Sequence, residues 1–190
     1  AAADMLIQAV RDAEIESDHR TIMIHAQTVR EDQLDLMKEL EIIPSYFSTH
    51  TFYWGDWHRD SVFGQDRAMR ISPANSTLER DMPFTVHNDA PVVPPDMMRL
   101  LWATTNRQTR SGKILGKQQR ISTYSALEAM TINAAYQHFE DDIKGSIEVG
   151  KQADLVVLSE DPLSIDTKNL LELNVVATFS RGVEVFNAAK

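Results

Sequence analysis

Two histidines and an aspartate stand where the sequence predicts that short apolar strands end. His25 closes the first such strand, His50 follows the second, and Asp89 follows the third. In βα architectures the carboxyl ends of parallel strands form one edge of the sheet, and that edge carries the active site. Imidazole and carboxylate groups are suitable ligands for a zinc-like ion. A single histidine in such a place is more often structural, so the shared placement of the three residues is what predicts a metal site.

A further histidine and a dense aromatic segment lie beside these three positions. His87 precedes Asp89 by two residues, so in a continuing strand both side chains point to the same face. The sequence leaves three roles open for His87, which are contact with a substrate, orientation of Asp89, and packing as a structural residue. Residues 46–57 hold six of the fourteen Phe, Trp and Tyr residues, which are Tyr46, Phe47, Phe52, Tyr53, Trp54 and Trp57.

The aromatic segment surrounds His50 and is interrupted by Gly55, which predicts a loop that walls one side of a ligand pocket. Tyr53, Trp54 and Trp57 are the substrate-binding candidates within it. The alternative is that half or more of these rings pack the loop onto the rest of the domain. The remaining histidines have no comparable placement, and we expect structural or solvent-exposed roles for His19, His58 and His138.

Composition removes several classes of function. The 190 residues include no cysteine, which excludes disulfides, thiolate metal sites and cysteine nucleophiles, so that histidine and carboxylate must hold any metal. Nineteen Lys+Arg against 28 Asp+Glu give a net charge of −9 without a basic cluster, so no nucleic acid partner is expected. No apolar run approaches the roughly 20 residues of a membrane helix. The chain opens at Ala1 rather than methionine, which suggests a processed or partial chain.

Alternating helix and strand patterns predict an α/β fold with parallel strands. The apolar and β-branched runs predict strands at 21–25, 42–47 and 84–88. The helical periodicity predicts helices over 1–16, after a capping box at Thr28 to Glu31, after Ser72-Pro73, and over 96–108 and 122–137. Beyond residue 145 the pattern changes to strands at 153–158, 175–179 and 183–186, the last two joined by a hairpin at Arg181-Gly182.

Four segments of the chain resemble the C-terminal half of a metal-dependent amidohydrolase of the amidohydrolase-3 family, the branch that includes YtcJ-like proteins and N-substituted formamide deformylase. They occur in the family's order and span most of the chain. The long segment 144–158 is the most specific. The segments are Ile24-His25-Ala26-Gln27, Ser48-Thr49-His50, Asn88-Asp89-Ala90-Pro91-Val92 and the run from Lys144 to Leu158.

The resemblance implies the C-terminal half of a distorted (β/α)8 barrel, with strands about five to eight in residues 1–145. Residues 146–190 are then part of a composite β-sandwich domain. It also implies that His25 and His50 bind a divalent metal, with zinc as the expected ion and one or two ions in the intact enzyme, and that Asp89 transfers a proton from the attacking water. The family usually has Gly-Ser before this aspartate, whereas this chain has His87-Asn88. The implied activity is hydrolysis of a non-peptide amide-type C–N bond.

Two elements that the family supplies elsewhere have no counterpart in these residues. They are a His-x-His or His-x-Asp pair on the first strand, and a bridging carboxylate or modified lysine on the fourth. We therefore expect the isolated chain to be inactive or nearly so as a fragment of a longer hydrolase. The alternatives are a half-barrel assembly module that buries its open strand edges in a homodimer, and a small-molecule binding protein without catalysis. The sequence leaves cytoplasm and periplasm both open.

Overall fold

The computed structural model describes residues 1–190, which form helices around a parallel sheet followed by an antiparallel sheet. The strands are β1 (Ile22–His25), β2 (Ile43–Tyr46), β3 (Thr85–Val86), β4 (Leu155–Leu158), β5 (Val175–Ser180) and β6 (Val183–Asn187). The α-helices are α1 (Ala2–Ala13), α2 (Glu31–Glu39), α3 (His50–Trp57), α4 (Gln65–Ala68), α5 (Ala74–Leu78), α6 (Met97–Asn106), α7 (Thr123–Met130) and α8 (Ile132–Gln137). A π-helix spans His58–Val62, and 3-10 helices span Lys117–Gln119 and Thr167–Glu172.

The first sheet is parallel, with strand order β1-β2-β3, which confirms the predicted α/β class. The central strand β2 is buried along its whole length. Pro44 lies opposite Met23 of β1 but precedes the paired residues on the β3 side, where pairing begins at Ser45. Its missing N–H therefore leaves the ladder to β3 intact. The edges of β1 and β3 are open, because neither strand has a second neighbour.

One hydrophobic core supports this sheet and reaches into the C-terminal part. Helices α1, α2, α6 and α7 contribute buried apolar side chains to it. Tyr46 ends β2 in this core, fully buried, with its hydroxyl 2.6 Å from the Thr77 hydroxyl. Leu170 and Leu173 belong to the same core. Residues beyond 146 thus pack against the helices that precede them.

Three local predictions were wrong. The helix after β1 begins at Glu31 rather than near Thr28, and the backbone N–H of its N-cap Arg30 donates to the Gln33 side chain. The helix predicted over 122–137 is broken at Thr131, where φ is −124° and ψ is −89°. The aromatic segment after β2 is not a loop, because His50–Trp57 is helical.

The second sheet is antiparallel, with order β4-β5-β6, and contains the predicted hairpin. Arg181 and Gly182 both have positive φ, 49° and 78°, as a two-residue turn between right-twisted strands requires. One face of this sheet leaves apolar side chains such as Val183 and Val185 exposed. No helix of the chain is long and apolar enough to cross a membrane.

Candidate metal centre

The parallel sheet brings the three predicted residues to its carboxyl edge. His25 is the last residue of β1, His50 is the first residue of α3 after β2, and Asp89 lies three residues beyond the end of β3. His25, Ala26 and Asp89 have positive φ values of 65°, 41° and 53°. A left-handed conformation strains a non-glycine residue and is concentrated at functional sites. Here it turns the backbone at the points where two of the three side chains leave the sheet.

The distances between these groups are close to those of ligands that share one ion. Two donor atoms bound to a tetrahedral zinc lie about 3.4 Å apart, and two bound imidazole rings have centroids about 5 Å apart. His25 Nε2 lies 3.9 Å from Asp89 Oδ2, and the ring centroids of His25 and His50 are 6.0 Å apart. His87 completes the group, with its ring centroid 5.2 Å from that of His25. Each separation exceeds the ideal value by about 1 Å or less.

Three imidazole nitrogens at this edge are buried without a hydrogen-bond partner. They are His25 Nδ1, His50 Nδ1 and His87 Nε2. An unpaired buried polar atom destabilises a fold by about 1–3 kcal/mol, so a partner for these nitrogens would be stabilising. The donor types and the unpaired Nδ1 of His50 fit a divalent metal, whereas the unpaired Nδ1 of His25 is the ring nitrogen opposite to the Nε2 that faces Asp89. No group of three His, Asp or Glu side chains in the chain is arranged closely enough to hold an ion by itself.

Burial favours the neutral form of three imidazoles at this edge, those of His50, His87 and His58. It lowers the pKa of His50 to about 4, and the neighbouring His58 and His25 add to the effect. Burial is also the main cause that lowers the pKa of His87, and it lowers the pKa of His58. Neutral imidazole is the form that binds a metal ion.

Aromatic rings pack around the histidines. The Phe47 ring centroid lies 4.1 Å from that of His50 and 5.5 Å from that of His87. Trp54 meets His50 edge-on at 5.3 Å, and Tyr53 lies 5.5 Å from Trp54.

The other aromatic residues of this segment divide between core and surface. Trp57 is 56% exposed, with its ring 5.4 Å from that of His58. Tyr46 lies in the core. Its position agrees with the alternative in which part of the aromatic segment packs onto the rest of the domain. The candidate Trp54 thus touches the histidine group, whereas Trp57 adjoins it through His58.

His58 belongs to this group, although its sequence position predicted a structural or solvent role. It is buried at the start of the π-helix, with its ring 5.6 Å edge-on from that of His50. Its Nδ1 lies 3.4 Å from Gln27 Nε2. The eight-residue spacing from His50 is a same-face spacing in a helix, and it would have indicated this neighbour had the segment been predicted as helical.

A buried arginine holds the loop that supports this site. The Arg107 guanidinium donates to the carbonyl oxygens of Ile71, Ser72 and Leu115 at 2.7, 3.1 and 2.8 Å. The Ser72 N–H donates in turn to the Gln27 carbonyl at 2.8 Å. Arg107 thereby fixes the turn that contacts the residues directly after His25.

The fold and this edge define an α/β protein with imidazole and carboxylate groups at the carboxyl edge of its parallel sheet. Residues 1–186 match the amidohydrolase family, to which the chain belongs. It is 27% identical over 96% of its length to an N-substituted formamide deformylase of Arthrobacter pascens, covering 34% of that protein. It is 22% identical over 97% of its length to an amidohydrolase of Bacillus subtilis, YtcJ, covering 35%. The chain thus spans about a third of these curated relatives.

Solved structures share the fold. A metal-dependent hydrolase of Pyrococcus horikoshii superposes with a TM-score of 0.74 at 24% identity, over 87% of this chain and 33% of that one. An adenosine deaminase of Xanthomonas campestris with bound zinc superposes with a TM-score of 0.63 at 21% identity, over 87% and 37%. These likenesses agree with the α/β architecture seen here.

Proposed function

We propose that this chain is part of a metal-dependent hydrolase that cleaves an amide-type C–N bond other than a peptide bond. His25 and His50 are the metal ligands that it contributes, and Asp89 is the proton-transferring carboxylate. The observation that carries the proposal is the convergence of these three side chains at the carboxyl edge of the sheet, with Asp89 Oδ2 3.9 Å from His25 Nε2. Family membership and the activity in the deformylase's name support the reaction class.

The metal ion and the Asp89 carboxylate have different roles in the proposed reaction. A divalent ion, zinc as the first choice, supplies Lewis acidity toward water and toward the amide carbonyl when bound. Asp89 is 37% exposed, so a water molecule can reach it. Its carboxylate takes a proton as water adds to the carbonyl carbon and returns it to the departing nitrogen as the C–N bond breaks. The products are a carboxylic acid and an amine.

His87 and three aromatic residues are proposed substrate contacts. His87 lies beside His25, at 5.2 Å between ring centroids. Trp54 packs on His50, Tyr53 packs on Trp54, and the exposed Trp57 has its ring centroid 5.4 Å from that of His58. Rings in these places can hold an apolar part of the substrate near the reacting amide.

We further propose that residues 1–145 are half of a (β/α)8 barrel and that 146–190 belong to a β-sandwich domain. The three parallel strands with open edges, and the exposed apolar face of the antiparallel sheet, support this division. The isolated chain should then be inactive or nearly so, because no group of three of its own ligands can close around an ion. Metal-dependent amide hydrolysis by the purified 190-residue chain would contradict this part of the proposal.

Asp89→Asn in the hydrolase that contains this chain tests the proposed mechanism. We expect turnover to fall by about 10²–10⁴, as for the loss of a general acid–base group, with metal content largely retained. Asp142→Asn is the matched control, because Asp142 is an exposed carboxylate remote in sequence from the candidate site. Near-normal turnover in Asp89→Asn would remove this residue from the mechanism.

A second candidate function is assembly of two copies through the open sheet. The edge strand β1 has no outer neighbour, and Ile24 within it is 55% exposed. Unpaired strand edges associate readily, so a homodimer could bury them. Size-exclusion mass separates the candidates, because a metal-binding monomer favours the hydrolase fragment and a metal-free dimer favours the assembly module.

A further inference from the structure

Helix α3 has two faces with different surroundings. His50 and Trp54 are four residues apart, so they share the face that meets the candidate metal centre. Phe52 and Asp56 are also four residues apart, and they lie on the opposite side of the helix. The Phe52 ring packs edge-on against Trp102 of α6, with 5.6 Å between the centroids. The helix is therefore held between the site and the chain segments behind it.

Asp56 binds a tight turn behind α3, which is formed by residues 108–114. Its carboxylate accepts hydrogen bonds from the Ser111 N–H at 3.1 Å and from the Ser111 hydroxyl at 2.6 Å. The Thr109 hydroxyl donates to it at 3.0 Å, and the buried Arg59 pairs with it at 3.1 Å. Burial acts to raise the pKa of Asp56, but the hydrogen bonds from Ser111 and Thr109 outweigh it and hold the pKa below its usual value.

The 108–114 turn makes two further close contacts with α3. The Arg110 N–H donates to the Phe52 carbonyl at 3.2 Å. Gly55 permits this approach, because an added Cβ would lie 2.8 Å from Thr109 Cγ2. Apolar packing is not directional, whereas hydrogen bonds depend on distance and angle. The bonds to the turn therefore define how α3 is rotated and how far it extends, which the packing of Phe52 alone does not.

Arg107 connects the 108–114 turn to the loop that follows His25. It directly precedes the turn, and its guanidinium donates to the Ser72 carbonyl at 3.1 Å. The Ser72 N–H donates to the carbonyl of Gln27, two residues beyond His25. One segment of the chain thus contacts both the loop after His25 and the helix that begins at His50. Its position therefore helps to set the separation of the two histidines.

We propose that Asp56 is a positioning residue for the metal centre, because it fixes the orientation of the helix that begins at His50. This step rests on the proposed function, in which His50 is a metal ligand. Asp56 acts through α3 and not by contact with the ion or the substrate. Ligands must be held within about 0.5 Å of the productive geometry. Groups that support a ligand from behind change metal affinity by about 10–100-fold.

Zinc affinity of the hydrolase that contains this chain, measured by competition with a chelator, tests this role. Asp56→Asn keeps the size of the side chain but loses the charge and one acceptor oxygen, so zinc binding should weaken about tenfold. Substitution of cobalt(II) for zinc gives a second measurement, because the visible absorption of cobalt(II) depends on its coordination geometry. This spectrum should change in Asp56→Asn, which a purely structural role of Asp56 would not cause.

Ser111→Ala is a milder variant, because it removes one hydroxyl donor from an exposed position of the turn. It should remain folded and weaken zinc binding by a smaller factor than Asp56→Asn. Wild-type zinc affinity in the folded variants of this pair would overturn the proposal. Absence of zinc from the wild-type hydrolase would count against the proposed function instead, since the positioning role concerns only how firmly a bound ion is held.

Two other carboxylates provide matched controls. Asp60 pairs with the same Arg59 at 2.7 Å but accepts no hydrogen bond from the 108–114 turn. Asp141 has a side chain that is 29% exposed, as that of Asp56 is, and it pairs with Arg20 at 2.7 Å. Asp60→Asn and Asp141→Asn should both keep the wild-type zinc affinity and cobalt(II) spectrum. A loss of affinity in Asp141→Asn equal to that in Asp56→Asn would refute the specific role of Asp56.

Discussion

Replacement of Arg107 by methionine should lower the free energy of unfolding by about 3 kcal/mol or more. The Arg107 residue is 2% exposed, and its guanidinium donates to three backbone carbonyls. No carboxylate lies among these partners. The bonds join the loop at Ile71 and Ser72 to the segment at Leu115.

The magnitude follows from the groups that lose a partner. Methionine fills much of the volume but donates no hydrogen bond. Three carbonyl oxygens therefore lose their donor, and each loss destabilises the fold by about 1–3 kcal/mol. Burial lowers the pKa of Arg107 to about 10, which reflects the unfavourable desolvation of its charge. Removal of that buried charge offsets part of this destabilisation. We therefore expect the free energy of unfolding to fall by an amount near the lower end of the summed range, about 3 kcal/mol. Domains of this kind are stable by about 5–15 kcal/mol, and the change is therefore a large fraction of the total.

Urea unfolding followed by circular dichroism measures this difference directly. Arg110→Met is the matched control, since Arg110 is exposed and its guanidinium meets aromatic rings at 5.1 and 5.8 Å. We expect the control to change stability by about 1 kcal/mol or less. The free energy of unfolding of Arg107→Met could instead stay within about 0.5 kcal/mol of the wild-type value. That result would refute the inference that these three hydrogen bonds hold the loop at Ile71 and Ser72.

Three further changes test other parts of the structure. Tyr46→Phe removes the 2.6 Å hydrogen bond to Thr77 and should lower the free energy of unfolding by about 1 kcal/mol, whereas no change in urea would show that the bond contributes nothing. Gly116→Ala should lower the melting temperature markedly, because an added Cβ would lie 1.9 Å from the Met69 carbonyl at φ +68°; an unchanged melting temperature would contradict this packing. The metal-free chain should lose stability as pH falls from about 6.5 toward 4, because the pKa of His50 is lowered to about 4 when folded and the unfolded state binds the proton first. His50→Gln should flatten this part of the pH–stability curve, and an equal slope in both proteins would rule out His50 as its source.

The strands and the residues at their ends could be predicted because their signals are local. The β-branched run before His25 and the run before His50 lie in β1 and β2, and both histidines reach the expected edge. The placement of His25, His50 and Asp89 at one edge follows from sheet geometry, since parallel strands share one carboxyl edge.

What the sequence did not reveal depends on contacts between distant segments. Gly55 looked like a loop signal, but it lies within α3, where an added Cβ would come 2.8 Å from Thr109 Cγ2. The glycine permits close packing, so the aromatic segment remains helical and carries His58 to the site. The partners of Arg107 are 8 to 36 residues away in sequence. The hydrophobic periodicity of the sequence does not indicate such contacts between distant segments.

The break between α7 and α8 has the same origin. The apolar spacing continues through Thr131, yet the chain at Gly145 returns against this point. A Cβ on Gly145 would lie 3.2 Å from the Thr131 carbonyl oxygen and 3.0 Å from Ile132 Cα. Gly145 thus allows a close backbone approach that a single continuous helix pattern does not indicate.

Zinc content of the hydrolase that contains this chain tests the central claim most directly. Equilibrium dialysis of the wild-type hydrolase followed by elemental analysis should give at least about one zinc per molecule when zinc is in excess. His25→Ala/His50→Ala should lower this zinc content markedly, while His19→Gln/His138→Gln, which alters two histidines outside the site, should retain it. Equal zinc content in the wild-type hydrolase and the His25→Ala/His50→Ala variant would contradict the assignment of these histidines as ligands.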